Sequence, residues 1–199
     1  MAIRNRIACF PPFRIHGERH VVTRFQVPSR PAGNGQCDPL GRALRVLRRC
    51  TWLRIRRPVH AVDKYENCIC PWCIADGSAH ARLGAAFTDT YGIGGGEWDE
   101  VPDAVVSEIA CRTPGFQGWQ QERWWTHCDD AAQFVGRAGA GELRALGPQA
   151  VASIRESTGL DEGAEWEHFL AALDKGGSPT AYIFRCIRCG EPGGYQDCD

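Results

Sequence analysis

The 199 residues contain no apolar stretch approaching the roughly 20 that a helix needs to cross a bilayer, which excludes a helical membrane protein. The opening MAIRNRIACFPPFRIHGERH lacks the continuous apolar core of a signal peptide, being interrupted by Pro11, Pro12 and Arg14, so the expected compartment is the cytoplasm. Lysine is absent from the first 60 residues although thirteen arginines stand there. No aromatic interleaving accompanies runs such as Arg48-Arg49 and Arg54-Ile55-Arg56-Arg57, so the arm offers bases nothing to stack on. The glycine run that starts at Gly92 lacks the Gly-Lys-Ser or Gly-Lys-Thr ending and follows no hydrophobic strand, which excludes a phosphate loop. No Ser-His-Asp or Cys-His-Asp arrangement stands out: six histidines are scattered and only His127 adjoins a thiol. Catalysis therefore has no direct support in the sequence.

What is present in excess is cysteine and a divided charge. Eleven cysteines in a chain without an export signal read as thiols, and metal ligation leads the explanations for paired ones. The net charge of −1 conceals +11 over residues 1–60 and −12 over residues 61–199. Two segments are expected on that basis, an Arg-rich and atypical 1–60 with little stable order and a domain over 61–199. A basic arm ordinarily points to nucleic acid or another acidic partner.

From Tyr65 onward the pattern is regular. NCICPWCIADG is a tight turn bearing Cys68, Cys70 and Cys73, and SAHARLGAAF predicts a short helix. GIGGGEWDE (92–100) is a Gly-rich loop, and VPDAVVSEIACRT (101–113) predicts a helix opened by Pro102 and Asp103. TPGFQGWQQERWWTHC (113–128) reads as loop and strand. DDAAQFVGRAG predicts a helix, with two carboxylates at its start and glycine at its end. GPQAVASIRESTGL and DEGAEWEHFLAALDKGG predict two amphipathic helices, and SPTAYIFRCIRCGEPGGY a strand running into a cysteine knuckle. The expected class is α+β, with short strands carrying Cys-x-x-Cys zinc knuckles packed with several short helices.

Cys70-Pro71-Trp72-Cys73 and Cys186-Ile187-Arg188-Cys189 are the two Cys-x-x-Cys units, a spacing that turns both thiolates toward one metal ion. More than a hundred residues separate them, so they need not share an ion. A redox pair is the alternative for Cys70 and Cys73, against which the polar DKYENCI makes a poor buried strand. Cys9, Cys37, Cys50 and Cys111 are expected as buried thiols without a ligand. His127-Cys128 stands where a ligand or a reactive thiolate is plausible. Glu97, Asp99 and Glu100 could form an acidic site, although a charged loop edge is the commoner meaning.

ICPWCIADGSA (69–79), TDTYGIGGGEWDEVP (88–102), RTPGFQGWQQERWWTHCDDAAQFVGRAG (112–139), ALDKGGSPTAYIFRCIRCG (172–190) and GGYQDCD (193–199) resemble the CbrC family of bacterial proteins, over roughly residues 61–199. FPPFRIH (10–16) is similar to that family's start. The resemblance implies a cytoplasmic protein without established enzymatic activity, in a family associated with colicin tolerance, whose cysteine pairs look like zinc ligands. Carried over to this chain, the metal ligands are Cys70, Cys73, Cys186 and Cys189, with His127 and Cys128 as lesser candidates.

The chain departs from the family over about 17–57, where LRVLRRCTWLRIRRPVHAV replaces an expected Cys-x-x-Cys-Gly unit followed by Gly-Tyr. A reading-frame slip over Ala43–Arg57 explains both that loss and the arginine excess: under one choice of codons the neighbouring frame reads His-Cys-Val-Cys-Cys-Gly-Asp-Ala-Arg-Gly-Tyr-Val-Tyr-Gly. Cys70 and Cys73 would then lack two zinc partners, and a lower zinc content than in regular relatives is expected. Three functions compete. The first is a non-catalytic protein with structural zinc that binds a protein partner in colicin tolerance or a related stress. The second is an enzyme with a pocket of Trp119, Gln120, Gln121, Glu122, His127 and Cys128. The third is a zinc-ribbon nucleic-acid binder, whose support vanishes if the Arg-rich front is non-native.

Overall fold

The computed structural model describes residues 59–62, 65 and 69–199. Most of the Arg-rich segment, the proposed frame slip and Cys9, Cys37, Cys50 and Cys68 lie outside the described residues.

The centre of the fold follows from one hexapeptide, Thr-Ala-Tyr-Ile-Phe-Arg. Its aromatic and β-branched residues favour a strand, and β2 (Thr180–Arg185) is buried from Thr180 through Phe184. Successive side chains alternate faces. Tyr182 and Phe184 join a cluster with Phe116, Trp124, Trp125 and Tyr195, whereas Ala181 and Ile183 join a second with Leu143, Ile154, Trp166 and Leu170. The sheet is thus covered on both sides, and β2 is central between β1 (Gln133–Ala138) and β3 (Pro192–Asp197), both antiparallel to it.

Helices supply the second cover. α3 (Asp103–Arg112) turns Ile109, Ala110 and Cys111 into the aromatic cluster, while α4 (Ala140–Ala145), α5 (Pro148–Thr158) and α6 (Ala164–Ala172) close the other face. α5 also covers the outer edge of β3. Ser153 Oγ accepts from the Gly194 amide at 3.0 Å and donates to its carbonyl at 3.2 Å, and Ser157 Oγ accepts from the Gln196 amide at 3.1 Å. Each such bond contributes about 1 kcal/mol and, more to the point, occupies strand groups that an open edge would offer to another chain.

Upstream, α1 (Pro71–Ala75) and α2 (Ser78–Leu83) enclose a smaller cluster of Ile69, Ile74, Ala79, Ala85 and Phe87. Arg112 ties it to α3, its guanidinium donating twice to the Ala75 carbonyl at 2.9 and 3.0 Å. A 3-10 turn over Thr90–Gly92 leads into the Gly-rich loop.

The α+β class is as expected, and so are the helices read over 101–113, 147–160 and 161–177 and the strand after Pro179. DDAAQFVGRAG departs from expectation: its second half is β1, and its carboxylates lie in a turn. Only Phe134 offers that segment a large apolar contact at helical spacing, and Gly136, at φ 148°, sits where the register to β2 slips between Phe134 and Gly136. Pairing with β2 therefore outweighs the weak local preference for helix. α4 escaped the sequence reading because one buried residue, Leu143, carries its packing.

Candidate metal centre

The register of the sheet assembles the site. Gln133 pairs with Arg185, so the chain just before β1 and the chain just after β2 leave the same end of the sheet side by side. His127 and Cys128 lie on the first, Cys186 and Cys189 on the second.

Each segment is folded sharply. Thr126 and Ala131 form an antiparallel bridge, and the His127 amide donates to the Asp130 carbonyl at 2.9 Å. The two residues between, Cys128 and Asp129, hold φ of 57° and 53°. Left-handed backbone is what the twist of a two-residue hairpin requires, and neither residue is the glycine or asparagine that adopts it at least cost. In the other segment the Gly190 amide donates to the Cys186 carbonyl at 3.0 Å, and the Cys186 amide donates to the Glu191 carbonyl at 2.8 Å. Arg188 Nε bridges the two, 3.2 Å from Asp130 Oδ2.

Their side chains converge. One potential ligand atom from each of His127, Cys128, Cys186 and Cys189 lies within 4.8 Å of all the others. His127 Nδ1 is 3.3 Å from Cys128 Sγ and 3.5 Å from Cys189 Sγ, and Cys186 Sγ is 3.6 Å from the His127 carbonyl. Sulfurs on one tetrahedral zinc, each about 2.3 Å from the ion, stand about 3.8 Å apart, so this separation fits one ion. The His127 ring lies flat on Trp125, 5.2 Å between centroids and 12° between planes. Trp125 packs in turn on Gly193, where any Cβ would strike the indole. The far ring nitrogen, Nε2, is 4.0 Å from Glu191 Oε2. A carboxylate on that side favours the tautomer with its proton on Nε2, leaving Nδ1 as acceptor toward the sulfurs.

The three thiols are not equivalent. Burial alone would push Cys186 up, but the amides of Cys189 and Arg188, the His127 ring and the Cys189 thiol more than offset it and bring Cys186 down to about 6. Desolvation and the neighbouring sulfurs Cys189 and Cys186 push Cys128 up to about 11. Without a cation, one thiolate is favoured and a second is opposed. A divalent ion removes that conflict.

Four of the six expected metal ligands, His127, Cys128, Cys186 and Cys189, are therefore brought together, with the lesser candidates at the centre of the group. Cys70 and Cys73 are not part of it. They lie at the start of α1, where Cys70 is buried and Cys73 packs against the small upstream cluster, their sulfurs 2.8 Å apart. Cys111 is buried as expected but is disulfide-bonded, not a thiol. Trp119 and Gln120 do not line a pocket with His127. Their amides donate to Asp197 Oδ2 at 2.8 and 3.1 Å, at the far end of β3, roughly 17 Å along the strand from the cysteine turn. Glu97 pairs with Arg123 at 2.8 Å, and Asp99 accepts from the Asp129 amide at 3.4 Å, so these acids brace loops. Glu191 was missed by the sequence reading. It stands two residues beyond the second cysteine of a Cys-x-x-Cys unit, where nothing local separates it from a solvated carboxylate.

The profile of a family described as "Uncharacterised protein family (UPF0167)" matches residues 29–198. The chain belongs to the UPF0167 family. A UPF0167 protein of Mycobacterium bovis is 48% identical over 145 residues, covering 70% of this chain and 74% of the relative. A UPF0167 protein of Mycobacterium tuberculosis matches to the same extent, and one of Pseudomonas aeruginosa is 42% identical over 123 residues, 62% of this chain and 66% of the relative. No solved structure matches. Membership of an uncharacterised bacterial family is thus as expected, while the CbrC name and the colicin association are not part of the match. The UPF0167 match begins at residue 29, inside the stretch read as departing from the family.

Proposed function

We propose that this UPF0167 protein is a non-catalytic zinc-binding protein in which His127, Cys128, Cys186 and Cys189 hold one structural ion. The observation that carries this reading is the convergence of one imidazole nitrogen and three sulfurs within 4.8 Å from two segments that the β1–β2 register alone leaves adjacent. Three sulfurs and one nitrogen are a set that structural zinc sites use, and four protein ligands leave no position for a reactive water. The ion would replace, for the two turns, the apolar burial that hairpin loops at a sheet end lack. Association with a protein partner in colicin tolerance or a related stress, in the cytoplasm, belongs to the same proposal and rests on the CbrC resemblance.

The test is elemental analysis of protein purified without added metal. About one zinc per chain is expected, retained through gel filtration, lost in Cys186→Ser and Cys128→Ser, and removed by a strong chelator with a fall in Tm. Full thermal stability after complete zinc removal would overturn the structural role, and zinc unaffected by both substitutions would overturn the site.

A further inference from the structure

Cys70 and Cys73 have a geometry unlike that of the metal group. Cys70 directly precedes α1 and Cys73 is its third residue, so one helical turn sets the two side chains on the same face. The Cys73 amide donates to Cys70 Sγ at 3.4 Å, which holds that sulfur over the turn, and the two sulfurs are 2.8 Å apart. Two thiolates on one tetrahedral zinc stand about 3.8 Å apart, and a disulfide closes at about 2.05 Å. The pair is thus about an ångström closer than a shared ion would keep it and less than an ångström from bonding.

Exposure divides the roles. Cys70 is buried at 5%, while Cys73 is half-buried and packs against the cluster of Ile69 and Ile74. Cys73 is thus the more accessible of the two. We propose that Cys70 and Cys73 form a reversible dithiol–disulfide pair that exchanges with a low-molecular-weight disulfide of the glutathione type, independently of the metal centre. The Cys73 thiolate attacks one sulfur of the small disulfide, whose S–S bond breaks and releases one thiolate. Cys70, after losing its proton, attacks Cys73 Sγ and expels the second. The pair gives up two electrons and two protons, and the small disulfide takes them up as two thiols.

The full-length, zinc-loaded chain is equilibrated with graded ratios of reduced to oxidised glutathione, quenched by alkylation and mapped by mass spectrometry, with fragment ions separating Cys68 from the pair. Cys70 and Cys73 are expected to escape alkylation together with loss of two hydrogens, to return to thiols in excess reduced glutathione, and to leave zinc per chain unchanged. Cys70→Ser is expected to accumulate one glutathione on Cys73 that the wild type resolves, and Cys73→Ser to take up none at Cys70. Three results would each overturn the proposal: alkylation of both sulfurs at every ratio, a bond from either of them to Cys68, or zinc loss in step with oxidation or in either serine variant. The oxidation readout is the same in a chain that carries no zinc, so failure of the metal reading leaves it interpretable.

Discussion

At Asp129 the backbone bears a cost that its side chain does not need. The residue holds φ 53°, and its bond to Asp99 Oδ2, donated by its amide at 3.4 Å, uses the main chain. Asp129→Gly keeps that bond and removes the penalty on left-handed backbone, which is about 1 kcal/mol for a residue of this type. The expected outcome is a rise of a few degrees in Tm with zinc content unchanged, read by calorimetry and elemental analysis. Cys128, at φ 57° one position earlier, has no such exchange open to it, because its sulfur is one of the converging four. Glu191 acts through His127. Glu191→Ala is expected to weaken zinc about tenfold in chelator competition, and Glu191→Gln, which keeps an acceptor facing Nε2, to recover part of the loss.

Among the elements, α4 is the shortest of the three helices covering the second face and depends on its ends. Glu142 reaches back to the amide of Gly139 at 3.2 Å, and Lys175 stands 3.7 Å from its other oxygen. Its own amide, that of Gly139 and the Lys175 ammonium hold the Glu142 carboxyl below the usual carboxylate range. A depressed folded-state pKa means the contribution is present above the unfolded value and is lost as pH falls through the folded one. Glu142→Gln is therefore expected to lower Tm slightly at neutral pH, and to converge with the wild type in acid; a gap that is constant from neutral to strongly acidic pH would refute the charge-dependent part. β2 shows no such dependence. Buried on both faces, it is held by apolar contacts that pH does not touch, and Ile183→Ala would cost about 2–5 kcal/mol at any pH.

For the molecule as a whole, the charge division turns on the Arg-rich front. Sequencing the gene is expected to show, one base out of frame over Ala43–Arg57, a peptide with a Cys-x-x-Cys-Gly unit and a following Gly-Tyr. Codons that encode no such peptide would refute the slip and return the +11 charge of residues 1–60 to consideration as a native binding arm. The 139 residues from 61 to 199 are net acidic, so that front alone carries the case for nucleic acid.

Local pattern was enough for the elements whose burial repeats with their own period: the helices of 101–113, 147–160 and 161–177, and the run Ala181–Phe184, whose every side chain meets a cluster. The metal-ligand types were legible too, since Cys-x-x-Cys and His-Cys are chemistry written in adjacent residues. Their partition was not. Spacing treats Cys70–Cys73 and Cys186–Cys189 as equals. Only the antiparallel register, which sets Gln133 against Arg185, places His127 and Cys128 beside the second pair, while the first pair stays at α1, where Cys73 packs against the cluster of Ile69 and Ile74. Sequence alone determined which side chains could bind an ion, because ligand chemistry belongs to the residue. Tertiary structure decided which of them meet, because a cross-strand neighbour some sixty positions away leaves no periodicity along the chain.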